Sequence, residues 1–189
     1  LIIYNSVDPD KGAVSIDVVV VQPSVDPYQK FGAMYREQLE KMLALSETKM
    51  DSAVDYLLLP ETALTESFWE NDMQYSVSLQ RLYQYRSAYP DLAIVTGAAT
   101  GRFFINGETP TAAARKFKQQ EGWHESYNTA LQIDTTHVFS VYHKSKLVPG
   151  SEKLPFPWFF GYFESFALDL GGTVGTLGIQ DERSVFYHP

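Results

Sequence analysis

Three short, nearly continuous apolar runs mark the first half of the chain: Ile16 to Val21, Asp55 to Leu59 and Leu92 to Ala99. Runs of this length, rich in branched aliphatic residues and bounded by Pro or Gly, predict β-strands that are buried on both faces. Between them, apolar residues recur at roughly helical spacing from Tyr28 to about Met50 and from Met73 to Tyr89. These two segments are predicted to be amphipathic helices.

The alternation of strand and helix in this half predicts an α/β fold, with parallel strands joined by right-handed crossovers. A polar excursion follows from Gly101 to Gly122, with a predicted strand near Arg102 to Ile105. Two further apolar segments, Tyr127 to Ile133 and His137 to His143, flank the turn residues Asp134-Thr135-Thr136. This arrangement predicts a β-hairpin.

The sequence pattern in the last part of the chain predicts little regular secondary structure. Lys144 to Trp158 contains three prolines and is predicted to be a loop, and Phe159 to Leu168 is strongly aromatic. After Gly171 the chain is glycine-rich but lacks G-K-[ST], so it is predicted to be a turn-rich connection rather than a phosphate-binding loop. Ser184 to Tyr187 is a short strand candidate.

Composition narrows the possible functions. The 189 residues are 44% hydrophobic, enough for one domain with a sizeable core. A net charge of −8 argues against a nucleic-acid partner, because phosphate binding depends on clustered Lys and Arg. The sequence contains no cysteine, so it has no thiolate nucleophile, thiolate zinc site or disulfide of its own. The four histidines follow no metal-ligand spacing, so we expect no metal site.

The first candidate for chemistry is Glu61, which follows the predicted strand that ends at Leu59. Open parallel sheets place their active sites at the carboxyl ends of strands. A carboxylate that is partly desolvated there can have a raised pKa and can serve as a general base. The alternative is a glutamate that caps a helix or takes part in a structural salt bridge.

Two more candidates follow the predicted hairpin. Lys144 comes directly after an apolar strand and could stabilise an oxyanion as a point charge. A surface lysine is the alternative, and Lys146 competes for the same role. Glu152 lies eight residues after Lys144 in the proline-containing loop. Two glutamates and a lysine in such positions suggest acid/base chemistry without a metal, although no serine or threonine lies in a recognised nucleophile motif.

The order of these motifs resembles the nitrilase (carbon–nitrogen hydrolase) superfamily. The matching segments are P-E-T-A, then S-Y-N-T-A-L, then Y-H-K-S-K-L-V-P-G-S-E-K-L-P-F. Within that superfamily the chain is most similar to the apolipoprotein N-acyltransferases, whose first strand and turn resemble V-V-V-Q-P-S-V-D-P-Y. The segment A-L-D-L-G-G-T-V-G-T-L-G resembles versions from the Bacteroidetes group. The resemblance covers about residues 16 to 187.

The resemblance implies the N-terminal part of a nitrilase-like αββα sandwich over residues 16–189, preceded by a linker, residues 1–15, that follows a membrane helix in the parent protein. It places Glu61 at the general base, Lys144 at the oxyanion-stabilising position and Glu152 at a second required glutamate. The sequence L-V-P-G-S-E departs from the family's L-V-P-F-G-E, which puts the geometry around Glu152 in doubt. The family's catalytic cysteine, within I-C-Y-E, is expected beyond Pro189, so the chain is interpreted as truncated and inactive alone.

The implied reaction is the last step of bacterial lipoprotein maturation. A phospholipid donates an acyl chain through a thioester, without a cofactor, to the N-terminal diacylglyceryl-cysteine of an apolipoprotein. The implied location is the bacterial inner membrane, with the catalytic domain on the periplasmic side. Two alternatives remain open: a soluble amidase of the same fold, which would not require Glu152, and a non-catalytic domain that binds lipid or a partner.

The segment from Leu154 to Phe163 combines aromatic residues with two prolines. Trp and Tyr favour the interface between membrane and water, so one interpretation is a lid that contacts the bilayer. The alternative is ordinary core beneath a loop.

Overall fold

The structure is a computed structural model that describes residues 15–23, 35–105, 107–136, 139–149, 152 and 176–188. Within these ranges the strands are β1 (Val18–Val20), β2 (Tyr56–Leu58), β3 (Leu64–Trp69), β4 (Ala93–Phe103), β5 (Arg115–Lys116), β6 (Trp123–Ile133) and β7 (Ser140–His143). The helices are α1 (Tyr35–Glu47), α2 (Val77–Arg86) and a 3₁₀ helix, Glu70–Tyr75.

The strands form one mixed sheet in the order β1-β2-β4-β6-β5, with β3 also paired to β4 and β7 to β6. The pairs β1–β2 and β2–β4 are parallel, as predicted, whereas β4–β6 and β6–β7 are antiparallel. Two reversals leave β7 running in the same direction as β2 and β4. The carboxyl ends of these three strands therefore lie at the same edge of the sheet, and the predicted α/β class and β6–β7 hairpin are confirmed.

The core lies between the two helices and one face of the sheet. Leu57 pairs with Ile94 and Ile94 with Ile133, so these three side chains point to the same face. Leu43 of α1 and Leu82 of α2 belong to the same buried cluster. The described helices and sheet thus form two layers packed around one core.

A glutamate from β3 fixes the start of α2. The Glu66 carboxylate accepts hydrogen bonds from the backbone N–H groups of Val77 (3.2 Å) and Ser78 (2.8 Å) and from the Ser76 hydroxyl (3.0 Å). Ser76 itself caps the helix, since its oxygen accepts from the Leu79 N–H. Negative charge and hydrogen-bond acceptors are both favourable at a helix N-terminus.

The prediction of one continuous helix from Met73 to Tyr89 is therefore wrong. Ser76 has extended backbone angles (φ −64°, ψ 124°) and separates the 3₁₀ helix from α2. Strand β3 was not predicted, because its sequence, L-T-E-S-F-W, mixes polar and apolar residues without a clear period. The predicted strand near Arg102 to Ile105 is instead the end of the long β4.

Strand β1 occurs where it was predicted, but its expected burial on both faces is wrong. Val18 and Val20 are 41% and 66% exposed, and Val19 alone faces the core cluster. The reason is position, since β1 stands at one end of the strand order rather than within it. The candidate strand from Ser184 to Tyr187 is also wrong, because these residues have no regular secondary structure.

Several predictions lie on residues that are not described: residues 1–14 of the predicted linker, the start of the first predicted helix at residues 28–34, the aromatic segments at residues 154–168, and residues 171–175 of the glycine-rich connection. Among the helices that the structure does describe, none has the length and apolar character needed to cross a membrane.

Two leucines of α1 test the assignment of the core. Leu43 is 2% exposed and Leu45 is 47% exposed. Leu43→Ala should lower the free energy of unfolding by about 2–5 kcal/mol, because it removes buried contacts and leaves a cavity. Leu45→Ala should change it by less than about 0.5 kcal/mol. Urea denaturation of both variants measures the two values, and equal losses would contradict the packing of α1.

Candidate active site

Glu61 lies on a tight turn directly after β2. The turn packs so closely on β4 that a Cβ added at Gly97 would lie 2.7 Å from the Glu61 Cα and 2.6 Å from the Thr62 nitrogen. Gly97 also donates its N–H to the Pro60 carbonyl at 3.3 Å. Thr62 has a positive φ of 53°, a strained value for a β-branched residue. The close approach at Gly97 and the strained backbone of Thr62 thus fix the position of the backbone from which the Glu61 side chain extends.

Lys144 reaches Glu61 from the end of β7. Its backbone N–H donates to the Asn128 carbonyl at 2.8 Å, which continues the pairing of β7 with β6 by one residue. The Lys144 Nζ lies 2.9 Å from Glu61 Oε1 and 2.9 Å from Glu152 Oε1. The structure therefore brings together Glu61, Lys144 and Glu152, the three residues singled out from the sequence, around one ammonium group.

Backbone hydrogen bonds with Val148 and Leu177 hold Glu152 in place. Its N–H donates to the Val148 carbonyl (3.0 Å), its carbonyl accepts from the Leu177 N–H (3.1 Å), and its Oε2 accepts from the Val148 N–H (2.7 Å). The side chain of Glu152 is 14% exposed, compared with 60% for Glu61. Despite the altered sequence before it, Glu152 therefore points at Lys144, with its backbone and its carboxylate held by hydrogen bonds.

Asn128 completes the cluster and was missed as a site residue. Its side-chain amide donates to Glu61 Oε1 (2.5 Å) and to Glu152 Oε1 (2.9 Å). It pairs with Ala99 of β4, which places it on the face of the sheet opposite the helices. The signal was an amide within S-Y-N-T-A-L, in the middle of a strand where a side chain of this type needs a partner.

The cluster stabilises the charged forms of its members. The hydrogen bond from Lys144, followed by that from Asn128, lowers the pKa of Glu61. Burial raises the pKa of Glu152, but hydrogen bonds from Lys144, Val148 and Asn128 outweigh it and the pKa is lowered. The hydrogen bond to Glu152, with that to Glu61, raises the pKa of Lys144. All three groups are therefore ionised at neutral pH.

The raised pKa expected for Glu61 is wrong. Its carboxylate is mostly exposed, so desolvation is small and the hydrogen bond from Lys144 decides the direction of the shift. Both carboxylates contact Lys144, whereas Lys146 is exposed to solvent.

Two cavities adjoin the cluster. One, of about 300 Å³, lies between Glu61, Lys144, Gly97 and Tyr142. The other, of about 560 Å³, extends from Asn128 and Glu152 along β4 and β6. Among the described residues its far wall is aromatic, formed by Trp69. The charged cluster thus faces open space that is large enough for a substrate.

The chain is distantly similar in sequence to a known enzyme. No family model matches the chain. The chain is 30% identical over 159 residues to Apolipoprotein N-acyltransferase 1 of Treponema pallidum (strain Nichols). The alignment covers 78% of this chain and 28% of that protein. The chain is therefore distantly related to an enzyme, of whose length it spans less than a third.

Two solved structures show a more distant likeness, and both are glutamine-dependent NAD⁺ synthetases. For the one from Cytophaga hutchinsonii the TM-score is 0.45 at 13% identity, covering 90% of this chain and 23% of that one. For the one from Acinetobacter baumannii, in complex with ADP, the TM-score is 0.36 at 16% identity, covering 68% and 21%. The α/β class rests on the strands and helices of this chain itself.

Removal of the shared ammonium tests the electrostatics. Lys144→Met should raise the pKa of both Glu61 and Glu152, because it removes a hydrogen bond and a positive charge that lower them. Glu152 should show the larger rise, since its burial would no longer be opposed by a cation. Carboxyl ¹³C chemical shifts followed through a pH titration measure both values. Lys146→Met is the matched control, and an equal response to it would contradict the assigned contacts.

The same cluster should make stability depend on pH. Glu61 and Glu152 have folded-state pKa values below the ordinary 4.5, so their contribution is present above that value and is lost as the pH falls through the folded pKa. Lys144 has a folded-state pKa above 10.5, so its contribution is lost as the pH rises through that pKa. The difference in melting temperature between wild type and Lys144→Met should therefore be greatest between about pH 5 and pH 10. A difference that does not vary with pH would contradict this account.

Proposed function

We propose that this chain supplies the base, the oxyanion-stabilising cation and the second glutamate of an apolipoprotein N-acyltransferase. The proposed reaction moves an acyl chain from a phospholipid to the α-amino group of the N-terminal diacylglyceryl-cysteine of an apolipoprotein. The observation that carries the proposal is the Lys144 ammonium, 2.9 Å from a carboxylate oxygen of both Glu61 and Glu152. The 30% identity to an N-acyltransferase supports the choice of reaction.

The first half-reaction needs a thiol, and the 189 residues contain none. We assign it to a cysteine outside this sequence. Glu61 takes the proton from the thiol while sulfur attacks the ester carbonyl carbon of the phospholipid. The carbonyl oxygen becomes an oxyanion beside Lys144, whose raised pKa keeps it charged. The intermediate then expels the alkoxide of the lysophospholipid, which takes the proton from Glu61, and a thioester remains.

The second half-reaction uses the same residues in the same roles. The α-amino group of the diacylglyceryl-cysteine attacks the thioester carbonyl, and Lys144 again stabilises the oxyanion. Glu61 accepts the proton that the attacking nitrogen loses. Collapse of the intermediate forms the amide and releases the thiolate, which recovers its proton from Glu61. Glu61 thus acts as base and acid in both steps without a metal or cofactor.

Glu152 and Asn128 have a supporting role in this mechanism. Glu152 holds the Lys144 ammonium from a largely buried position, and Asn128 spaces the two carboxylates by donating to both. Two negative carboxylates near one cation leave the site with a net negative charge when it is empty. An oxyanion is therefore accommodated best if Lys144 gives up its contact with the exposed Glu61 and keeps that with Glu152.

The remaining parts of the proposal concern the whole protein. We propose that residues 16–189 belong to the catalytic domain, that residues 1–15 link it to a membrane helix, and that the domain works on the periplasmic side of the bacterial inner membrane. The segment from Leu154 to Phe163 is proposed to contact lipid. An acyl donor that resides in a bilayer suits a domain tethered there.

The test uses the open reading frame that contains these residues, expressed in cells depleted of lipoprotein N-acylation. Mass spectrometry of the N-terminal lipopeptide should detect a third acyl chain. Lys144→Met should lower the initial rate by about 10²–10³-fold, as removal of one oxyanion donor does elsewhere. Glu61→Gln should abolish transfer, whereas Lys146→Met should retain it. Full transfer by Lys144→Met would overturn the proposal.

The same set of proteins separates the alternatives. Hydrolysis of small amides without acyl transfer would favour a soluble amidase, and lipid binding without either reaction would favour a non-catalytic domain. The 189-residue chain alone should neither transfer acyl groups nor react with thiol-directed acylating probes, because it has no cysteine. Turnover by this chain that is lost in Glu61→Ala would show that another residue is the nucleophile.

A further inference from the structure

A second polar cluster lies on the opposite side of β7 from Lys144. Its centre is the contact between His143 Nε2 and Glu70 Oε1, at 2.8 Å. We propose that His143 and Glu70 are a positioning pair, which fixes the end of β7 so that the Lys144 ammonium reaches both Glu61 and Glu152. The catalytic meaning of this pair rests on the proposed function, but the position of Lys144 can be tested without it.

The alternation of side chains along a strand explains why His143 and Lys144 lie on opposite faces of the sheet. Successive side chains of a strand point to opposite faces, so His143 faces away from the site whereas Lys144 faces into it. Strand β7 has only four residues, and its last residue, His143, lies opposite Thr129. A slip of one residue would turn Lys144 to the wrong face. So short a strand needs a contact at its end that opposes such a slip.

His143 is contacted from three separate segments. Glu70 comes from the 3₁₀ helix, Tyr127 of β6 stacks on the imidazole ring with centroids 3.8 Å apart and planes at 11°, and Gln180 Oε1 accepts from the His143 backbone N–H at 3.1 Å. The contact with Glu70 holds the imidazole Nε2, the stacking on Tyr127 holds the plane of the ring, and the hydrogen bond to Gln180 holds the backbone. Because they act on different parts of the residue, they restrict both translation and rotation of the strand end.

Glu70 is itself fixed. The same oxygen that contacts His143 accepts from the Thr100 hydroxyl at 2.5 Å, and Thr100 hydrogen-bonds Thr129 at 2.6 Å. The side chains of Glu70 and His143 are only 11% and 19% exposed. Loss of either partner would leave a poorly solvated polar group without its hydrogen bond, so the contact is costly to break.

The Tyr127 ring that stacks on His143 is also held in place. Tyr127 donates its hydroxyl to Glu125 at 2.9 Å, and burial together with this hydrogen bond raises the pKa of Tyr127, so the hydroxyl keeps its proton. Gly178 lies against the same pair, where an added Cβ would be 2.2 Å from the Tyr127 ring and 2.5 Å from Glu125 Oε1. The backbone of residue 178 thus closes the space into which the tyrosine could move.

The experiment measures the reactivity of Lys144 in the folded chain with acetic anhydride, with peptide mass spectrometry as the readout. Wild-type Lys144 should react more slowly than exposed Lys146, because its ammonium is held by two carboxylates. In His143→Ala and in Glu70→Ala the rate at Lys144 relative to Lys146 should rise roughly tenfold at about pH 8, as expected if the pKa falls toward its ordinary value. His143→Gln, whose amide can still donate to Glu70, should restore most of the wild-type ratio.

Leu43→Ala is the control for general loss of stability, because it weakens the core at α1 without touching β7. It should leave the ratio of the two lysines unchanged under conditions in which circular dichroism shows every variant to be folded. An unchanged ratio in folded His143→Ala or Glu70→Ala, or an equal rise in Leu43→Ala, would overturn the inference. Labelling requires no turnover, so the positioning role stands or falls separately from acyl transfer.

Discussion

The candidate site depends on one ammonium group shared by two carboxylates. Glu61 and Glu152 both approach the same Nζ, and without Lys144 they would be like charges facing each other across a single asparagine. Their mutual repulsion raises the pKa of Glu61, and the hydrogen bond from Lys144 more than cancels that effect. Where the turn after β2, the end of β7 and the segment that contains Glu152 meet, the Lys144 ammonium therefore offsets the repulsion between the two carboxylates.

The sheet explains why these three segments meet at all. Strands β2, β4 and β7 end at the same edge, and the helices occupy the opposite face of the sheet from Asn128. The close approach at Gly97 and the strained Thr62 are local costs of presenting Glu61 on a tight turn. Buried leucines between α1, α2 and the sheet offset such costs, since each aliphatic side chain removed from water contributes roughly 1.5–3 kcal/mol.

The sequence carried enough information for the α/β class and for the positions of Glu61 and Lys144, because each residue directly follows an apolar strand. It could not reveal Asn128 as a site residue, since that depends on the register between β4 and β6, which pairs Ala99 with Asn128. The burial of β1 was overestimated because a run of valines fits an edge strand as well as a central one. The helix is interrupted at Ser76, where Glu66, ten residues earlier, binds the start of α2. The spacing of apolar residues does not report such a contact, so the interruption could not be predicted from it.

The two glutamates differ most in exposure, and this difference divides their proposed roles. Glu152 is largely buried and anchored by backbone hydrogen bonds, and it is the largest influence on the pKa of Lys144. The exposed pair between Lys144 and Glu61 is the weaker one, because solvent screens it. An oxyanion that arrives at Lys144 would therefore displace Glu61 rather than Glu152. Once released, Glu61 loses the hydrogen bond that lowers its pKa and binds a proton more readily. A carboxylate that is a poor base in the empty site thus becomes a better one at the moment when the proposed reaction needs it.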